Sequence, residues 1–322
     1  MGIMRLFFLF AFSFFVNFSL SSQQVPVSSK KILIVGICKD VGDAVANTKK
    51  NAESLGSRFA DYGVIIYENN SSDSTCKLFS RWVKTNPRVT FLSEHLTLRA
   101  LAGARTEKIA RARNIVLEAA RSPQYKDFEY LMMVDLDFTT PWPIEEIVKT
   151  IESSEEWDCV AANGEMNGSY FDRYAFRDAQ FPFGPELLGR NWWNDLGKTN
   201  FKLTGDKWVS VYSAFGGFAL YKTATITQFA YSGTVTEDLK LYYENIVSSL
   251  PENHPDLQKY KKLSKNKYSK ASVFFQENTP EQGHSFDVTC CEHIPLHASM
   301  AVHGYDKIFI NPKMKMIYSY KP

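Results

Sequence analysis

The chain has 322 residues, 44% of them hydrophobic, and a formal net charge of +2. That length and apolar content suffice for one large α/β domain or two small ones. The near-neutral balance, with no long basic stripe interleaved with aromatics, excludes nucleic acid as the expected partner. Cysteines at 38, 76, 159, 290 and 291 form no CxxC pair, which argues against a structural zinc site, and their odd number prevents complete internal pairing.

Residues 1–22 carry Arg5 ahead of an apolar run from Leu6 to Val16, extended by Phe18 and Leu20, with Ser19, Ser21 and Ser22 available for cleavage. This is a signal-peptide pattern, with a short membrane anchor as the other reading. Either one starts the remainder outside the cytosol, in the ER or Golgi lumen of a secretory pathway. Residues 23–30 read as a linker.

The folded part opens with an apolar strand over 31–37, followed by Cys38, Lys39 and Asp40. Helical spacing of Ala44, Ala52, Leu55 and Phe59 predicts a helix over 43–60. A second strand, 64–67, ends in the polar loop 68–75, where Ser72 and Asp73 are cap residues for a helix from 76 to about 84. A third strand covers 89–92, a helix 105–120 and a fourth strand 130–134. Strands alternating with helices imply a mainly parallel sheet with right-handed crossovers.

In residues 131–138, four apolar side chains run into Asp135 and Asp137, and Pro141 and Pro143 close the segment. Strand alternation puts both carboxylates on one side, with Leu136 turned away. Two carboxylates at the carboxyl end of a buried strand form a hard-oxygen pair suited to Mg²⁺ or Mn²⁺, at the edge where open α/β sheets bind ligands. The plainer alternative is one capping Asp and one solvated neighbour.

The loop Tyr67-Glu68-Asn69-Asn70-Ser71-Ser72-Asp73-Ser74-Thr75 resembles the Val-Asp-Asp-Gly-Ser-Thr-Asp-Gly-Thr loop of GT-A-fold glycosyltransferases. Asp135-Leu136-Asp137 is similar to their DxD motif. Residues 105–114 resemble their Arg…Ala-x-x-Arg-Asn helix, in the manner of the fungal capsule-type α-mannosyltransferases. The resemblance implies a Rossmann-type, mostly parallel sheet flanked by helices and a nucleotide-sugar donor. It sets Glu68, and Asp73 on the same loop, at the nucleoside. It sets a divalent metal on Asp135 and Asp137 against the pyrophosphate, with Arg105, Arg113 and Asn114 beside the diphosphate. Without it, the basic helix reads as a solvated face.

Beyond a helix at 143–151 and a strand at 157–162, residues 163–206 show little periodicity but hold Tyr170, Phe171, Tyr174, Phe176, Phe181, Phe183, Trp192 and Trp193. Aromatic density argues against disorder in so long a loop. Aromatic faces stack on sugar rings, so an acceptor platform is expected, with most of the rings folded into a satellite core. Gly216-Gly217 ahead of a strand allows close backbone approach, and in GT-A enzymes a similar pair lies beside the donor sugar. Residues 222–289 are hard to read; the lysines from Lys259 to Lys270 look like a solvated run.

Residues 290–312 resemble the segment that closes the GT-A catalytic half. Glu292 matches its glutamate, and His293 stands where the family has aspartate. By that resemblance, Glu292 or His293 takes the acceptor proton if the reaction inverts. His297 lies one helical turn from His293 and becomes a candidate third metal ligand. The expected division is a nucleotide-sugar half, 31–160, and an acceptor and catalytic half, 161–322, of the same domain.

The expected activity is metal-dependent transfer of a hexose from a nucleotide sugar to a glycan, lipid or protein acceptor. Two alternatives stay open. Val134-Asp135-Leu136-Asp137-Phe138-Thr139 also fits a haloacid-dehalogenase-type phosphatase, with Asp135 as nucleophile and Asp137 as acid/base, although no later Gly-Asp-x-x-x-Asp motif is evident. The other is an inactive fold that binds glycans as a lectin.

Overall fold

The computed structural model describes residues 26–99, 102–194, 196, 200–275 and 289–318. The leader of residues 1–22 lies outside these. Among the described residues no helix is long and apolar enough to cross a membrane.

In chain order the elements are β1 (Lys31–Cys38), α1 (Val45–Gly56), β2 (Asp61–Asn69), α2 (Thr75–Thr85), β3 (Val89–Glu94), α3 (Arg105–Ala120), β4 (Tyr130–Asp135), α4 (Ile144–Ile151), β5 (Cys159–Met166) and β6 (Ser169–Tyr170). Then come α5 (Pro185–Leu188), α6 (Arg190–Asn194), β7 (Val209–Ser210), β8 (Phe218–Lys222), α7 (Thr223–Ile226), α8 (Glu237–Ser249), α9 (Pro255–Ser264), α10 (Lys270–Val273), α11 (His293–Val302) and β9 (Ile308–Ile317).

The apolar runs of β1 and β4 lie side by side and parallel at the middle of one sheet, with Ile37 opposite Asp135. Their alternate side chains feed two cores. Leu33, Val35, Leu131 and Met133 point to one face, and Ile32, Ile34, Met132 and Val134 to the other. This is why both strands read as continuous hydrophobic runs. The sheet order is β3-β2-β1-β4-β8-β5-β9-β7, with β6 hairpinned onto β5. Strands β1–β5 and β9, except β6 to β8, share one direction; β8 runs against β4 and β5. The expected α/β class, a mostly parallel sheet flanked by helices, is met. Strands β7, β8 and β9 of the second half complete the sheet begun by the first.

Chain order runs outward from β1 through β2 to β3, then returns to β1's other side with β4. A crevice therefore opens beyond the carboxyl ends of β1 and β4, the usual ligand position in such sheets.

Candidate active site

A cleft of about 900 Å³ occupies that crevice, and Cys38, Asn69 and Asp135 from the ends of β1, β2 and β4 line it. Its basic side chains are Lys39, Arg105, Lys108, Arg111, Arg113 and Arg173; its carboxylates are Asp135, Asp137, Asp172 and Glu292. Cations outnumber carboxylates, so the cleft as a whole favours a polyanion. Lys39, Arg105 and Lys108 form no ion pair among the described residues, which leaves their charge for a ligand.

Arg113 joins the two halves of the chain here. Its Nη2 donates to Asp135 Oδ1 at 2.9 Å and its Nε to Glu292 Oε1 at 3.0 Å. The guanidinium lies over the Phe215 ring, 4.6 Å from its centroid, and is 3% exposed. Burial works against its charge, and the coulombic pull of Asp135 and Glu292 outweighs that. Asp135 shows the reverse balance. Burial, Asp137 and Glu292 push its carboxyl up to about 6, against the pull of Arg113. Its backbone is also held, since its N–H donates to the Gly217 carbonyl at 3.0 Å. Asp137 is exposed and faces the same cleft.

A divalent cation suits the Asp135–Asp137 pair in one specific sense. Both face the cleft, but among the described residues no group of three His, Cys, Asp or Glu side chains forms a cage. Mg²⁺ and Mn²⁺ sites of this kind complete their shell with substrate phosphate and water.

His297 does not supply the third ligand. It is fully buried, its Nδ1 2.8 Å from Ser213 Oγ and its Nε2 2.9 Å from Tyr221 OH. Both ring nitrogens are therefore occupied in the core, and burial pushes its pKa down to about 3. His293 does line the cleft, stacked on Phe215 at 4.0 Å between centroids. Neither of its ring nitrogens finds a hydrogen bond among the described residues, and its Nε2 stands 3.4 Å from Glu292 Oε1. Burial, Arg113 and His297 hold it well below the usual histidine range, so the ring is neutral.

Other expected contacts turn inward. Glu68 is 1% exposed, and its carboxylate accepts from the Ser71 N–H at 3.1 Å and from the Ser93 hydroxyl. Burial raises its pKa, but hydrogen bonds from Cys76, Ser93 and Ser71 pull it below the usual range. Its neighbour Asn69 lines the cleft instead. Asp73 ties two loops together, Oδ1 accepting from the Thr75 N–H at 2.9 Å and Oδ2 from the Gly42 N–H at 2.8 Å. Asn114 clasps the backbone of Tyr231, donating to its carbonyl at 2.9 Å and accepting from its N–H at 2.7 Å. Gly216 and Gly217, at φ 64° and 103°, do not line the cleft; the Gly217 carbonyl instead accepts from the N–H of Asp135, which does.

In the aromatic stretch, Phe171 and Tyr174 are half-buried and line the cleft, while Tyr170, Phe176, Phe183 and Trp192 belong to the core, Trp192 touching the cleft from there. A buried pair anchors this wall: Arg177 Nη2 lies 3.0 Å from both Glu186 oxygens, and Tyr243 OH donates to Glu186 Oε1 at 2.5 Å.

Sequence reasoning missed Lys39, Lys108, Asp172 and Tyr318, all of which line the cleft. The position of Lys39 just past β1 was the available signal. Asp172 and Tyr318 had none, because only tertiary packing brings them to the site.

No family model and no curated protein matches the chain. Solved structures similar to it include the mannosyltransferase PcManGT from Pyrobaculum calidifontis in complex with GDP-Man and Mn2+, at 12% identity over 88% of this chain and 73% of that one, TM-score 0.40. GalNAc-T7 with UDP, GalNAc and Mn2+ is similar at 13% identity over 91% of this chain and 45% of that one, TM-score 0.42. Glucosyl-3-phosphoglycerate synthase from Mycobacterium tuberculosis with UDP gives 15% identity, coverage of 62% and 59%, and a TM-score of 0.35. These likenesses are distant, and the residues of the cleft carry the functional reading.

Proposed function

We propose that the chain is a glycosyltransferase that moves a hexose from a nucleotide sugar to a glycan, lipid or protein acceptor with help from Mn²⁺ or Mg²⁺. One observation carries this: Asp135, Asp137 and Glu292 converge on a single cation-rich cleft at the carboxyl edge of the sheet, where Arg113 joins Asp135 to Glu292. Asp135 and Asp137 would hold the metal, which when bound neutralises charge on the departing diphosphate. Lys39, Arg105 and Lys108 attract the polyanionic donor. Arg113 fixes the orientation of Asp135. Glu292 faces the acceptor and takes its proton if the anomeric centre inverts; the neutral His293 ring packs behind it. Phe171 and Tyr174 offer faces for a sugar ring. Residues 1–22 would direct the enzyme to the ER or Golgi lumen or anchor it to that membrane.

A thermal-shift panel of nucleotide sugars with and without Mn²⁺ tests this, since a ligand selective for the native state raises its melting temperature. A metal-dependent shift with at least one nucleotide sugar is expected, and both that shift and transfer should collapse in Asp137→Ala. Near-wild-type transfer in the variant removes the metal assignment. A phosphorylated Asp135 trapped from a phosphate ester would favour the phosphatase instead, and glycan binding without nucleotide or metal would favour the lectin.

A further inference from the structure

Asp172 belongs to no motif of the sequence. It follows β6 at φ 72°, a left-handed conformation that Asp tolerates better than most residues. Its Oδ2 accepts from the Gly216 N–H at 3.1 Å, and its Oδ1 has no partner among the described residues. The side chain lines the cleft.

The next residue, Gly217, holds Asp135: its carbonyl accepts from the Asp135 N–H at 3.0 Å. Two consecutive glycines therefore connect Asp172 to the carboxylate that would face the donor's diphosphate. Their surroundings are tight. A Cβ on Gly216 would come 2.2 Å from the Ala162 carbonyl oxygen, and one on Gly217 would come 2.6 Å from the Phe138 ring. Asp172 thus sits at a fixed offset from Asp135.

Resting on the nucleotide-sugar reading, we propose that Asp172 accepts a hydrogen bond from a hydroxyl of the donor's sugar and helps select which sugar the cleft takes. Burial, with Glu292 and Asp135, pushes the Asp172 carboxyl up to about 7 against the Gly216 N–H and Arg113. A sugar hydroxyl pairs with the group in either protonation state, donating to the carboxylate or accepting from the acid, whereas phosphate oxygens cannot donate to it and repel its ionised form. The sugar is also the part of a nucleotide sugar that adjoins the diphosphate.

Asp172→Asn separates this role from a structural one. Asn tolerates the same backbone conformation, and its side-chain carbonyl still accepts from the Gly216 N–H. In Mn²⁺ at about pH 8.5, above the value near 7 to which burial raises Asp172, calorimetry compares UDP with UDP-glucose and GDP with GDP-mannose on wild type and variant. The variant should bind the bare nucleoside diphosphate like the wild type, with an unchanged melting temperature. It should bind the matching nucleotide sugar about tenfold more weakly, the scale of one hydrogen bond to a charged group. Equal affinity of both proteins for the nucleotide sugar overturns the proposal. So does a parallel loss for the bare diphosphate, which would mean that Asp172 acts through the diphosphate end. If the wild type binds no nucleotide at all, the glycosyltransferase reading itself fails, a result distinct from these two.

Discussion

Arg113 is where the charge balance of the cleft turns, because its single guanidinium serves Asp135 and Glu292 at once. Removing it leaves the buried Glu292 and the partly exposed Asp135 without their cation. Arg113→Met should therefore cost about 3–5 kcal/mol of stability, read by denaturant titration. Arg113→Lys should recover only part, since an ammonium lacks the fork that reaches both partners. His297 gives a pH-dependent test. Folded, it is neutral, with its pKa pushed down to about 3 by burial, whereas the unfolded chain takes up that proton near 6.5. Its contribution to stability is then complete above pH 6.5 and declines toward pH 3, by about 1.4 kcal/mol per unit. Between pH 7 and 5 the melting temperature of His297→Gln should fall less than that of wild type; parallel curves would contradict the assignment. Individual residues were legible where their chemistry was local. Asp135 closes β4 and Asp137 follows two residues later, outside the strand, so nearness in the chain brings both to the cleft. The partners of Glu68 and His297 were not legible, because Ser93, 25 positions from Glu68, and Ser213 and Tyr221 beside His297 arrive only through tertiary packing.

At the scale of elements, the Gly216-Gly217 turn was read as a place where a ligand approaches the backbone. What approaches it is the protein itself, Ala162 beneath and Phe138 beside. Gly216→Ala combines a backbone conformation at φ 64° with a collision against a carbonyl that β5 holds in place. A loss of about 2 kcal/mol or more is expected, seen as a lower denaturation midpoint with an unchanged slope. Helix α3 emerged from the sequence with its observed limits, Arg105–Ala120. Its start is held by the Glu107 carboxylate accepting from the Ala104 N–H at 2.8 Å, and its inner face carries regularly spaced apolar residues. By contrast α5, α7 and α10 span only four residues each, too few to show a helical period. Their positions depend on burial against distant partners, such as the Arg177–Glu186 pair.

For the molecule as a whole, the cleft's excess of cations predicts long-range attraction of its substrate. Nucleotide affinity should weaken as salt rises from low to physiological concentration, with the loss falling mainly on association rate. On the nucleotide-sugar reading, Asn69→Ala should by comparison weaken binding equally at all salt concentrations, because Asn69 lines the cleft without charge. The sheet also has a consequence for how the chain is made. Strand β9 lies between β5 and β7, and Cys159 pairs with Ile308 across 149 positions. During synthesis, β5 must wait for that partner with one edge bare, a template for wrong pairing. Pairing over so long a span is slow. A nascent chain halted before about residue 308 should therefore aggregate or recruit chaperones, and the cleft cannot gain its Tyr318 wall until the ribosome has passed that point.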